Sequence, residues 1–108
     1  MRIRIYQISA ETDKYNLMFM NWDFALKKCG HIRENTYELV YEGDVEAKNL
    51  EDLYTIFNRH LPSDYRGRSM SISDIVEIIG DGFYFCDSFG FVRLDFDGTK
   101  CKRRVYDE

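Results

Sequence analysis

The stretch from Ser73 to Tyr106 constrains the fold most, because short aromatic and β-branched runs recur there with a turn signal after each. Ser73–Ile79 reads as a strand, and Gly80-Asp81-Gly82 turns the chain into a second, Phe83–Asp87. Ser88-Phe89-Gly90 predicts a bulge or bend before Phe91–Phe96, since glycine within a strand pattern often marks one. Asp97-Gly98 is a type I′ hairpin signal and leads to a final strand, Thr99–Tyr106. The last third is a meander.

The rest of the chain supplies two more strands and the helices that cover the sheet. Ile3–Ile8 alternates as a strand does, and Ser9–Asn16 is polar and turn-like. Met18, Trp22, Ala25 and Cys29 then fall on one helical face, with Phe19 and Leu26 beside it. Lys27 and Lys28 suit the negative end of that helix and Gly30 its left-handed cap, which predicts a helix over Met20–Cys29. Alternation returns over Thr36–Val45. Tyr37, Leu39, Tyr41 and Val45 point one way, while Glu38, Glu42, Asp44 and Glu46 point the other, interrupted by Val40. Asn49 caps a second helix with Glu51 and Asp52 in its first turn, a stripe of Leu50, Leu53, Tyr54 and Phe57, and Pro62 past its end. The expected class is α+β: a mixed, mostly antiparallel sheet with two helices, in the order β-α-β-α-β-β-β-β.

Composition agrees with one folded domain over residues 1–108 and excludes several classes. Apolar residues make up 44%, with eight Phe, eight Tyr and one Trp to fill a core. A net charge of -4 does not indicate a strongly basic nucleic-acid module. No repeat, linker, apolar leader or membrane-length apolar run is visible. Cys29, Cys86 and Cys101 form no close pair, and an odd number of thiols fits a reducing cytoplasm.

Catalytic and metal chemistry find little purchase. Cys29, His31 and His60 lack the paired short spacings of a structural zinc site, so no metal or other cofactor is expected. Asp74, Glu77 and Asp87 would be the carboxylates of any acid–base or hard-cation site, yet no base, nucleophile and stabiliser group together. Such residues more often cap turns or face water, and no enzyme activity is expected.

Two charge patterns bear on partners. Residues two apart on a strand lie about 6.6 Å apart, so Glu42, Asp44 and Glu46 would form a carboxylate row near the repeat of backbone phosphates. Such a row would suit a basic groove, although an ordinary solvated sheet face is the more frequent use of the pattern. Lys100, Lys102, Arg103 and Arg104, with Arg66 and Arg68, form the opposite pattern. Asp95, Asp97, Asp107 and Glu108 flank that cluster and offset its field, which favours an edge-protecting strand over phosphate contact.

One segment resists so plain an account. In Asp64-Tyr65-Arg66-Gly67-Arg68-Ser69-Met70-Ser71-Ile72-Ser73-Asp74-Ile75-Val76, three serines alternate with apolar residues and lead to an aspartate that opens a strand. Ser and Asp side chains bond nearby backbone, so a fixed approach to the strand is expected, with Arg66 pairing Asp64, Asp74 or Asp87. Arg66–Val76, followed by Tyr84-Phe85-Cys86-Asp87-Ser88-Phe89-Gly90-Phe91, resembles the YodL-like domain family of Firmicute mobile-element proteins. Ile5-Tyr6-Gln7-Ile8, Asn35–Tyr41 and Phe57-Asn58 fit the same pattern, so the resemblance covers about Ile3–Phe96. Arg68 stands where the resemblance has histidine.

The resemblance implies an accessory role in conjugative or other mobile elements, with Arg66, Ser71, Ser73, Asp74, Asp87 and Gly90 as its structural or binding residues. By analogy with small acidic proteins of such elements, the expectation is an anti-CRISPR counter-defence inhibitor. It would bind a host defence nuclease of type II, or its guide-RNA complex, through Glu42, Asp44 and Glu46. The alternative is a nucleic-acid-binding accessory module of a conjugative element using Lys100, Lys102, Arg103 and Arg104.

Overall fold

Arg2–Ile8 places Ile3 and Ile5 on one side of a strand and Arg2, Arg4 and Tyr6 on the other, and this strand becomes an inner member of the sheet. A computed structural model describes residues 1–103. Their elements are β1 (Arg2–Ile8), α1 (Trp22–Cys29), β2 (Tyr37–Asp44), α2 (Leu50–Arg59), β3 (Ile75–Ile78), β4 (Gly82–Cys86), β5 (Phe91–Leu94) and β6 (Lys102–Arg103). Short 3-10 turns precede β2 and β6. The strand order is β5-β4-β3-β1-β2-β6, parallel only between β2 and β6. The chain is therefore an α+β fold with a mixed, mostly antiparallel sheet.

Each face of the sheet carries its own core. Ile3, Ile5 and Val76 lie on the face that receives Leu53 and Phe57 of α2, and Tyr65, Met70 and Cys86 close the cluster. Tyr6, Ile8, Tyr37, Ile75 and Phe85 lie on the other face, under Ala25 of α1, Leu17 and Phe96. Burying each of the large side chains contributes about 1.5–3 kcal/mol. Past this apolar half, the α1 face continues as Arg2, Arg4, Glu42, Asp44 and Glu77, five charged residues in register on three strands.

A bulge in β2 makes both faces possible. Ile5 pairs with Tyr41 but Tyr6 with Leu39, so Val40 is the extra residue. Tyr37 and Leu39 therefore face α1, whereas Tyr41 and Val45 face α2. This corrects the single apolar side predicted for β2, because strict alternation cannot register an inserted residue.

The helix caps follow the sequence closely. Gly30 adopts φ 78° and donates its N–H to Leu26 O at 2.7 Å. Asn49 Oδ1 accepts from Asp52 N–H at 2.8 Å, while Asp52 Oδ2 accepts from Lys48 N–H at 2.9 Å. α1 starts at Trp22 and not at Met20, since Asn21 Oδ1 caps Phe24 N–H at 2.9 Å. Tyr54 is 44% exposed and does not join the α2 stripe.

The final strand departs most from expectation. Asp97 Oδ1 accepts from Thr99 N–H at 3.0 Å and from its hydroxyl at 2.6 Å, so Asp97-Gly98 opens a 3-10 turn and not a hairpin. The chain then reaches the opposite edge of the sheet and adds β6 in parallel to Glu38 and Leu39. Gly98 permits this path, because a Cβ there would run into the Tyr6 phenol. Arg104–Tyr106 of the expected strand lie outside the described residues.

Candidate functional site

The family-like serines and aspartates meet at the end of the sheet where β1 finishes and β2 and β3 begin. Asp74 is 0% exposed. Its Oδ2 accepts from Ser71 N–H at 2.9 Å and from Gln7 Nε2 at 3.0 Å, and the Arg68 guanidinium stands 4.0 Å from Oδ1. Gln7 also donates to Arg68 O at 2.9 Å and accepts from Arg68 N–H at 3.0 Å, which locks the loop onto β1. Arg68 in turn donates to Ile8 O at 2.5 Å and lies over the Phe19 ring, 5.1 Å from its centroid. Burial is the main reason the Asp74 carboxyl is raised to about 7, against the opposing pull of the Ser71 and Gln7 hydrogen bonds and the Arg68 charge.

Ser73 holds the turn into β3 at φ 85°, a left-handed conformation costing about 1–3 kcal/mol in a non-glycine residue. Three bonds keep it there. Its N–H donates to Cys86 O at 2.9 Å, its carbonyl accepts from the Tyr37 hydroxyl at 2.6 Å, and its Oγ accepts from Phe19 N–H at 3.0 Å. Burial pushes the Tyr37 phenol well above its ordinary range and the Cys86 thiol up to about 12, so both stay protonated.

Asp87 performs a similar task one turn away. Its Oδ1 accepts from Trp22 N–H at 3.0 Å and from Ser88 N–H at 2.9 Å, joining the start of α1 to the β4–β5 turn. Its own N–H donates to Gly90 O at 3.0 Å, with Gly90 at φ 72°. The turn so fixed carries Phe89, which is 96% exposed. Beside it, a cleft of about 450 Å³ runs between α2 and the β4–β5 turn, lined by Tyr54, Thr55, Ile72, Phe89 and Phe91 among others. The Ser88-Phe89-Gly90 segment is thus a hairpin turn with an aromatic ring held out in solvent.

The other candidate residues fall elsewhere. The carboxylate row does not form as predicted: Glu46 lies past the end of β2, and β1 pairs the other two members. Arg2 binds Glu42 at 3.0 Å and Asp44 at 3.2 Å, and Arg4 binds Glu42 at 2.7 Å and Glu77 at 3.1 Å. The alternating arginines of β1 were the signal, since antiparallel pairing sets them against acids two apart. Glu77 also accepts from the Tyr6 hydroxyl at 2.7 Å and is separated from Asp74 and Asp87 by its place in this lattice. Asp74 accepts from Gln7 and Ser71, with the Arg68 guanidinium 4.0 Å away, and Asp87 accepts from Trp22 and Ser88. Arg66 is exposed in the loop ahead of them.

In the basic cluster, Lys100 sits in the 3-10 turn and Lys102 and Arg103 on β6, where Lys102 pairs in register with Glu38. Arg104 lies outside the described residues. Among the described residues no three His, Cys, Asp or Glu side chains cluster to hold a metal ion, and no helix is long and apolar enough to cross a membrane. Sequence reasoning passed over Gln7, the polar member of the Ile3-Ile5-Gln7 face, and Phe89, whose only signal was a large apolar residue inside a turn.

Comparison with curated proteins and with solved structures returns no match. The YodL-like domain model matches residues 2–96, nearly all of the described chain, and the protein belongs to the YodL-like domain family.

Proposed function

We propose that this YodL-like domain is a non-enzymatic counter-defence protein of a mobile element, an anti-CRISPR that holds a type II effector nuclease in a stoichiometric complex. The single observation that carries a binding role is Phe89, 96% exposed at the tip of a turn fixed by Asp87 and Gly90. An aromatic ring kept in water at a rigid tip costs solvation, and partners commonly bury such rings as anchors. Ser71 and Ser73 support the same reading, because their hydroxyls bond to backbone of the fold. Arg2 and Arg4 compensate Glu42 and Asp44, which favours contact at the Phe89 end over the carboxylate row. Mobile-element context comes from the family resemblance, and the target class from analogy with small acidic proteins of such elements.

The test is a cleavage assay with the effector, its guide and a DNA target, titrated with this protein. Inhibition should saturate near one protein per effector. Phe89→Ser should weaken it at least tenfold while unfolding changes by less than about 0.5 kcal/mol, as for other exposed sites. Product released in many copies per protein molecule, or full inhibition by the serine variant, would refute the reading.

A further inference from the structure

Among the described residues β5 ends the sheet, and its bonding pattern leaves one side open. Asp87 N–H donates to Gly90 O, so alternation directs Val92 and Leu94 inward to Phe85 and Phe83. Cys86 N–H donates to Asp74 O on the β3 side, which fixes the same alternation independently. The N–H and C=O of Phe91 and Arg93 therefore point away from the sheet.

The open edge is flanked by a cleft on each face. On the α2 face lies the cleft of Tyr54, Ile72 and Phe91. On the α1 face lies another, of about 340 Å³, lined by Trp22, Leu26, Ile32 and Leu94. An added strand projects successive side chains to opposite faces, so its alternate residues would enter the two clefts in turn.

Charge selects the occupant. Glu51 and Asp87 line the first cleft, and Glu34 and Asp95 the second. Of the basic groups there, His31 is exposed, and Arg93 is held by Asp81 at 3.5 Å. A second copy of this chain would set the same carboxylates against one another. We infer that β5 receives an extended, basic and aliphatic segment of a partner protein, which adds to the sheet as a seventh strand. This inference rests on the binding role above and names the chemistry of the contact.

A blocked peptide of about eight alternating valine and lysine residues is a sufficient probe, with a valine–glutamate peptide as its charge-reversed control. Titration followed by amide exchange should slow the Phe91 and Arg93 protons, and the glutamate peptide should leave them unchanged. Arg93→Pro removes an outward N–H without removing an inward one, and should weaken peptide binding at least tenfold. Arg93→Ala keeps that N–H and should bind as the parent does.

Unchanged exchange at Phe91 and Arg93, equal binding of both peptides, or a β5-to-β5 dimer in sedimentation would overturn the inference. The two readings fail separately. Wild-type protein that does not inhibit the effector sinks the counter-defence role and leaves the exchange result standing. Full inhibition by folded Arg93→Pro protein sinks the strand addition alone.

Discussion

Asp74→Asn replaces a buried carboxyl with a neutral amide of nearly the same shape and isolates its contribution to stability. In the folded chain this group titrates at about 7 instead of 3.8, chiefly because it is buried. Between those values the folded protein keeps a proton that the unfolded chain has released. Asp74 thus contributes stability in full below about pH 4, and that contribution is lost as pH rises through 7. At about 1.36 kcal/mol per pH unit, the interval corresponds to about 4 kcal/mol. Tyr37 and Cys86, two nearby titratable groups, stay protonated throughout this window. The amide oxygen of asparagine still accepts from Ser71 and Gln7, so loss of these bonds does not mask the effect. Urea unfolding read by Trp22, the single tryptophan, should be measured for both proteins from pH 4.5 to 8.5. The parent should lose stability relative to Asp74→Asn by several kcal/mol across that range, with the steepest change below pH 7. Parallel curves, within about 0.5 kcal/mol, would refute a buried carboxyl that must ionise at cost.

Two further substitutions probe the opposite face of the sheet. Glu42→Gln removes the pairs with Arg2 and Arg4, and because all three side chains are partly exposed the loss should stay below about 1 kcal/mol and shrink in salt. Those arginines hold the Glu42 carboxyl below its ordinary 4.5, so its contribution is present above that pH and disappears as the solution is acidified; the glutamine variant should show a shallower acid limb in the same unfolding series. Gly98→Ala presses a methyl group against the Tyr6 ring, which is buried and fastened to Glu77, and should cost about 1–3 kcal/mol in thermal unfolding. An unchanged melting temperature there would mean that the path into β6 can shift.

Local chemistry was legible in the sequence wherever a residue and its neighbours decide the outcome. Gly30 and Asn49 mark helix ends through bonds that span only three or four residues, and both caps form as read. The β3–β4 hairpin follows from Gly80-Asp81-Gly82 for the same reason. What escaped depends on distant pairing. The Asp97-Gly98 dipeptide resembles a hairpin, yet the path of the chain after it turns on the free edge of β2 across the sheet. Val40 became a bulge because β1 needed Tyr41 on one face and Leu39 on the other, a demand absent from β2 itself. At the candidate site, Ser71, Ser73, Asp74 and Asp87 stood out, while Gln7 did not, because its partners lie some sixty residues away.

The inner position of β1 has a consequence for how this domain can be made. Its neighbours are β2 and β3, so the strand stays half paired until Ile75–Ile78 has been synthesised. A fragment stopped before β3 would display Ile3 and Ile5 beside an open backbone edge, a template for aggregation. Once the sheet closes, freeing the amides of this strand requires it to part from both β2 and β3, which shields them from solvent.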